Sequence, residues 1–522
     1  MEIVDNRALK FRTRTPEKFS VLPHTFVNPI PGGAEVFVKW DLDHARVLKN
    51  LGFKNVPSPI ERNYVWPGRY KPMAHQKTTS GFLTLHRRAF CFNDPGVGKT
   101  LSALWAADYL MARGEVRRCL VICPLSIMHS AWLGDINNSV IHRSAVVAHH
   151  AQASRRIELI QGDYEFVIIN YDGLNLVADE VVADGRFDLV ICDEANAYSV
   201  PTTKRWKALA KIIRPDTFLW MMTGTPAAQS PVNAYGLAKL VNPSGVPPFF
   251  GAWRDRVMNK ITMFKWAPKA DAKDKVFAAL QPAIRYTKEE CLDLPPVLTT
   301  TREVALTPMQ AKYYERIKND MLVVAAGQTI SAVNKAAVVN KLLQVSCGTV
   351  ISEDGGIVEF DATPRMNLLL EILEETSRKV IIFAMYRSSI DSIVAFLTKH
   401  GHQVDVIDGR VTATNRGSII NRFQNTPDPR VLVMQPQATA HGITLTAADT
   451  VVFFGPLMSV ELYIQAIART DRKGQTSDKV TVIHIQSSPI EKKMFAAMNN
   501  RVNDHSLLTQ MFDDELGGGK NL

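Results

Sequence analysis

Asn93-Asp94-Pro95-Gly96-Val97-Gly98-Lys99-Thr100 decides how the rest of this chain is read. An apolar run, Ala89 to Phe92, precedes it, and a helical run, Leu101 to Met111, follows. Strand, glycine-bearing turn, then Lys-Thr at a helix start is the layout of a phosphate-binding loop. The glycines let backbone N–H groups turn inward, and the helix N-terminus adds partial positive charge. Both favour a polyphosphate. On this reading Asp94, Pro95, Gly96, Val97 and Gly98 form the cradle. Lys99 reaches the terminal phosphates, and the Thr100 hydroxyl holds Mg²⁺. The strict pattern has Gly where Asn93 stands; Asn tolerates unusual backbone angles better than most residues.

About a hundred residues downstream lies Phe187-Asp188-Leu189-Val190-Ile191-Cys192-Asp193-Glu194-Ala195-Asn196. A buried strand here delivers two carboxylates to its end. Asp193 suits Mg²⁺, directly or through water, and Glu194 suits orienting and activating an attacking water. Phosphoryl transfer needs both jobs, because its catalysis is mostly positioning and charge neutralisation. Leu219-Trp220-Met221-Met222-Thr223-Gly224-Thr225-Pro226 follows, a strand closing in a tight, hydroxyl-bearing loop. An ordinary turn has the same pattern.

From Lys71 onward apolar strands alternate with helices: Ala89–Phe92, Cys119–Cys123, Phe166–Asn170, Leu189–Cys192 and Phe218–Met222. This alternation predicts a parallel sheet covered on both faces. Ligands of such sheets bind at the carboxyl ends of the strands, where each of these motifs sits. A second alternating set runs Val380–Phe383, Gln403–Ile407, Val431–Met434, Val451–Phe454 and Val480–Ile485. It predicts a second α/β domain with no phosphate loop of its own.

At 522 residues, 46% hydrophobic and 21% charged, the chain fits two or three globular domains. No apolar run approaches the roughly 20 residues that span a bilayer, and the charged stretch Met1 to Ser20 is no secretory signal. Net charge is +10, which suggests a polyanionic partner. The six cysteines are scattered, with Cys119 and Cys123 expected in the core. No second pair lies at zinc-site spacing. Residues 1–70 carry eleven Lys/Arg and seven Asp/Glu. They read as a small accessory domain with a strand at Ala34–Trp40 and a helix at Leu42–Leu51, either docking to DNA or packing on the next domain. His75 and the pair His149-His150 are expected at the surface or at helix ends.

The ordered motifs carry a resemblance. Gln76, Asp94–Thr100, Val121-Ile122-Cys123-Pro124-Leu125-Ser126, Asp193-Glu194-Ala195-Asn196 and Thr223-Gly224-Thr225-Pro226 resemble the first motor domain of superfamily 2 helicases, nearest the Swi/Snf-type branch. The match continues through Ile284-Arg285-Tyr286-Thr287-Lys288, Leu294-Pro295-Pro296, Leu306–Gln310 and Tyr313-Tyr314, and covers about residues 71–510. The resemblance implies two RecA-like α/β domains sharing an ATP cleft, preceded by the small N-terminal domain. The expected boundaries are 1–70, 71–245 for the first motor domain, 246–300 for a helical protrusion and linker, 301–515 for the second motor domain, and a tail at 516–522.

By that resemblance Gln76 recognises adenine, and Arg469 and Arg472 of Gln465-Ala466-Ile467-Ala468-Arg469-Thr470-Asp471-Arg472-Lys473-Gly474-Gln475 become arginine fingers. Three positions apart, the two arginines would share one helical face, and a planar, always-charged fork suits a transferring phosphoryl group. Gly442 and Gln465 fall at the nucleotide side of the family's coupling motifs. Gln437-Ala438-Thr439-Ala440-His441 departs from the family's more Gly-rich, Arg-containing run. Trp253, Arg254, Arg256, Lys260, Lys265 and Trp266 either lie near a duplex or form a solvated face with packed aromatics. The implied activity is ATP hydrolysis that drives movement on duplex or forked DNA, mainly through backbone contacts, for fork remodelling, branch migration or annealing. A strand-separating DNA or RNA helicase and a non-catalytic, ATP-gated scaffold are the alternatives. The expected setting is a monomer working with DNA, with replication or recombination proteins as partners and no membrane. The location would be the cytoplasm of a bacterial or phage-infected cell, or the nucleus if the host is eukaryotic.

Overall fold

The computed structural model describes residues 1–500 except 20, 225, 228, 229, 263–265, 292–294, 328–331, 352–355, 440–442 and 473. At 126, 130, 320–327, 332–335, 413, 414, 438 and 439 it describes the backbone alone. Thr225, Lys265, Leu294, Gly442, Lys473 and the tail at 516–522 therefore lie outside the described residues. The chain forms two compact units, Met1–Cys291 and Leu292–Leu522.

The first unit opens with a four-stranded antiparallel sheet: β1 (Glu2–Val4), β2 (Ala8–Thr13), β3 (Thr25–Ile30) and β4 (Gly33–Lys39), in the order β1-β2-β4-β3. Only β4 was legible as a strand. β3 carries Pro29 and lies at the sheet edge, where a missing N–H is tolerated. The helix Leu42–Asn50 follows, capped by Asp41, whose side chain accepts from the His44 N–H at 2.9 Å. This region shares one hydrophobic cluster with the helices Ala74–Leu85 and Lys99–Ala112: Leu9, Val36, Val38, Leu42 and Ile60 pack with Leu83, Leu104 and Trp105. The Trp66 and Trp105 rings meet edge to face at 5.4 Å, and Ser58 Oγ and Thr84 Oγ1 lie 2.8 Å apart.

The main sheet of this unit contains β5 (Arg88–Cys91), β6 (Arg118–Cys123), β7 (Ala145–Val147), β8 (Phe166–Asn170), β9 (Phe187–Asp193) and β10 (Phe218–Met222). A hairpin, β11 (Met258–Lys260) with β12 (Trp266–Pro268), stands apart. The short β13 (Ala283–Ile284) returns to the sheet edge. The order is β13-β5-β10-β9-β6-β8-β7, parallel at each pairing. Successive strand residues feed opposite cores: Cys119, Val121 and Cys123 one, Leu120 and Ile122 the other. Burial on both faces explains why these strands read as continuous apolar runs. In the segment expected to protrude, Trp253 is fully buried, and the Arg254 guanidinium stacks 4.1 Å from the Trp266 ring centroid.

The second unit repeats the architecture with β14 (Val297–Glu303), β17 (Lys379–Phe383), β18 (Val404–Ile407), β19 (Val431–Met434), β20 (Ala448–Phe453) and β21 (Val480–Gln486). The hairpin strands β15 (Thr349–Ile351) and β16 (Ile357–Glu359) lie between β14 and β17. The sheet order is β14-β21-β20-β17-β19-β18, again parallel throughout. Ile381 and Phe383 pack into one core, Val380 and Ile382 into the other. The edge strand β14 escapes a reading by apolar runs because most of its residues are exposed. Five cysteines, Cys119 and Cys123 among them, are buried free thiols; Cys291 is partly exposed. Among the described residues no helix is long and apolar enough to cross a membrane.

Candidate active site

Cys91, Met222 and Asp193 stand in register at the carboxyl ends of β5, β10 and β9. The three loops that leave these strands therefore emerge side by side. After β5 the chain turns through Gly96 (φ +92°) and Gly98 (φ +82°) into the helix Lys99–Ala112. Both glycines occupy the left-handed region, which other residues enter at a cost of about 1–2 kcal/mol. Gly98 also has no room to spare, since a Cβ there would fall 2.0 Å from Gln76 Nε2.

Gln76 thus lies against the loop, 2% exposed, with its Oε1 accepting from the Met73 N–H at 2.9 Å. His75 lies at a helix end, one of its two expected places, and is buried there. It is 7% exposed in the first turn of the helix Ala74–Leu85, and its Nε2 lies 2.9 Å from the Val97 carbonyl. His149 and His150 are exposed. The Lys99 ammonium donates to the carbonyls of Asn93 at 2.8 Å and Asp94 at 3.3 Å. A phosphate would offer it charged oxygens in exchange, which make the stronger bonds.

Asp193 ends β9 with its carboxylate buried. Oδ2 accepts from the Trp132 indole N–H and Oδ1 from the Glu194 N–H, each at 3.0 Å. Burial pushes this carboxyl up, while the Lys99 ammonium and these two donors pull it down; the net direction is up. Glu194 has φ +50°, ψ +55°, a left-handed conformation unusual for a residue with a side chain. The Tyr171 hydroxyl fixes that turn by donating to the Asp193 carbonyl at 2.7 Å, with the Glu194 carbonyl at 3.4 Å. The Thr223 N–H donates to the Cys91 carbonyl at 3.1 Å. A Cβ on Gly224 would meet the Pro95 ring at 2.8 Å, so the Thr223–Gly224 loop touches the phosphate loop. Hard oxygen donors at Asp193 and Thr100 fit Mg²⁺.

In the second unit the helix Val460–Ile467 ends before either arginine, so Arg469 and Arg472 do not share a helical face. They occupy the turns that follow. The Arg469 carbonyl accepts from the Leu445 N–H at 2.9 Å. Arg472 Nη1 donates to the Ile443 carbonyl at 3.0 Å and to Thr444 Oγ1 at 2.9 Å. Both arginines thereby tie down the segment that follows residue 442. Gln465 is 7% exposed on the helix, with Nε2 3.5 Å from Glu461 Oε1.

Trp132 and Tyr171 were missed by sequence reasoning. Each acts through a contact to Asp193 or Glu194 that no local spacing encodes. Asn93, noted only as a departure from the glycine pattern, makes two side-chain hydrogen bonds of its own.

A phosphate loop, an acidic pair and a Thr-Gly loop at the carboxyl ends of one parallel sheet, in a chain that also carries a second α/β unit, define a nucleotide-dependent helicase-like core. The chain belongs to the SNF2-related family: residues 75–347 match the SNF2-related domain, and residues 364–474 match the helicase conserved C-terminal domain. It is 25% identical over 420 residues to an uncharacterized ATP-dependent helicase of Mycoplasma genitalium, covering 78% of this chain and 39% of that protein. The putative protein p41 of Acyrthosiphon pisum secondary endosymbiont phage 1 is 23% identical over 417 residues, covering 77% and 88%. The Sulfolobus solfataricus SWI2/SNF2 ATPase core solved in complex with dsDNA aligns at 21% identity over 87% of this chain and 94% of that one, with a TM-score of 0.41. The chain spans 39%, 38% and 20% of the length of the first three curated relatives it matches.

Proposed function

We propose that this chain hydrolyses ATP to drive its own movement along duplex or forked DNA, serving fork remodelling, branch migration or strand annealing. The observation that carries the proposal is the meeting of Lys99, Asp193 and the Thr223–Gly224 loop at the carboxyl ends of one sheet.

In this mechanism Gln76 reads the base edge with a side-chain amide that both donates and accepts. The backbone of Asp94–Gly98 surrounds the phosphates, and Lys99 leaves its carbonyl partners to bind them. Asp193 and Thr100 would hold Mg²⁺, which, when bound, neutralises charge on the phosphates. Glu194 orients the attacking water and takes its proton. By the family resemblance Arg469 and Arg472 would supply charge to the transferring group, and Gly442 and Gln465 would serve nucleotide binding. The boundaries 1–70, 71–245, 246–300 and 301–515 serve as the working division of labour. Contacts to DNA would be chiefly to phosphate, hence salt-sensitive and weakly sequence-dependent.

The test is ATP turnover with no nucleic acid, single-stranded DNA, duplex DNA, forked DNA and RNA, with Lys99→Ala as control. Stimulation by duplex or forked DNA, lost in the variant, is expected. Stimulation by single strands or RNA alone would replace the proposal with a strand-separating helicase. No turnover on any of them would replace it with a scaffold.

A further inference from the structure

Asn93 occupies the first position of the phosphate loop and is fully buried. Its Nδ2 donates to Thr79 Oγ1 at 3.0 Å, on the same helix as Gln76. Its Oδ1 accepts from the Tyr286 N–H at 3.0 Å. Tyr286 belongs to the segment that follows β13 and runs toward residue 292, where the second unit begins.

The backbone repeats this connection. The N–H groups of Phe90, Phe92 and Asp94 donate to the carbonyls of Pro282, Ile284 and Tyr286 at 2.9, 2.8 and 2.9 Å. The Lys288 N–H donates to Asp94 Oδ2 at 3.3 Å. The outgoing segment is therefore an edge strand that continues past the sheet and along the phosphate loop. A glycine at 93 would keep the backbone bonds but lose both side-chain bonds. A buried N–H left without an acceptor is costly, so the Tyr286 N–H holds Asn93 to this one orientation.

We propose that Asn93 is a positioning residue that couples nucleotide occupancy of the phosphate loop to the 284–288 segment. The inference rests on the ATP-binding reading of that loop. Phosphates entering the cradle draw Lys99 away from the carbonyls of Asn93 and Asp94. The same two residues hold Tyr286 and Lys288, so a shift of the loop backbone is passed to the outgoing chain without a side chain from that chain reaching the nucleotide.

The test is hydrogen exchange across residues 284–288 of the full chain, with and without Mg²⁺ and a non-hydrolysable ATP analogue. Binding of a fluorescent ATP analogue is measured in parallel. Wild type is expected to change its exchange rate several-fold at Tyr286 and Lys288 on binding. Asn93→Ala should still bind the analogue but lose most of that change, and Asn93→Asp, which still accepts from Tyr286 and can accept from the Thr79 hydroxyl, should restore it. Asn93→Leu, which keeps the side-chain volume and loses both bonds, supplies the same readout should Asn93→Ala not fold. Wild-type exchange changes in Asn93→Ala, or in Asn93→Leu where that variant stands in, would overturn the coupling. Failure of wild type to bind the analogue would instead overturn the phosphate-loop reading, whereas binding without any change at 284–288 overturns the coupling alone.

Discussion

At the scale of single residues, Trp132 contributes most that the sequence concealed. It lies fully buried in the helical turn Met128–Leu133, and its indole N–H takes the place of water on the Asp193 carboxylate. A hydrogen bond to a charged group contributes about 1.5–3 kcal/mol. Trp132→Phe keeps the ring and loses the donor. It is expected to lower stability by about that amount, to raise the Mg²⁺ concentration needed for half-maximal turnover, and to slow turnover. Denaturant melts and a Mg²⁺ titration check both effects; an unchanged Mg²⁺ requirement would reduce Trp132 to packing. The placement of Lys99 at a helix start and of Asp193 at a strand end was legible because apolar run, turn and helix start lie next to one another in the chain. Trp132 and Tyr171 were not, because their partners lie 61 and 22 residues away and only the fold brings them together.

At the scale of elements, the alternating strands of both sheets follow the sequence closely, since two-sided burial demands unbroken apolar runs. Strands at edges follow it poorly. β13 is two residues long, β14 is mostly exposed, and β3 carries a proline. The arginine pair shows a different failure. Nothing in Ala466-Ile467-Ala468-Arg469 signals a helix stop, yet the helix ends at Ile467 and the chain turns to meet Leu445. In that turn Arg472 holds Ile443 and Thr444. Arg472→Ala should speed proteolytic cleavage at 443–446 by several-fold as well as slow turnover, whereas Arg472→Lys should protect partially. If cleavage is unchanged while turnover falls, the guanidinium serves the nucleotide only.

At the scale of the molecule, residues 1–70 and the helices Ala74–Leu85 and Lys99–Ala112 bury one another's apolar faces. Trp105 is covered by Trp66, and its indole donates to the Pro67 carbonyl at 3.3 Å. Arg46 crosses to Glu115 at 2.6 Å. Each large apolar side chain uncovered costs about 1.5–3 kcal/mol. A chain beginning at Lys71 should therefore bind a hydrophobic dye and aggregate while the full chain does not. Light scattering of the two proteins decides the matter, and a well-behaved, monodisperse truncation would show that the N-terminal sheet is dispensable to the core.

The distribution of thiols has a practical consequence. Cys91, Cys119, Cys123, Cys192 and Cys347 are buried, and burial pushes each of these thiols up, away from the reactive thiolate. Cys291 alone is partly open to solvent, at the last residue of the first unit and three residues beyond Lys288. A maleimide fluorophore should attach there first, in the unmodified protein, at the point where one compact unit gives way to the next. The native sequence thus comes with its own attachment point for an optical reporter.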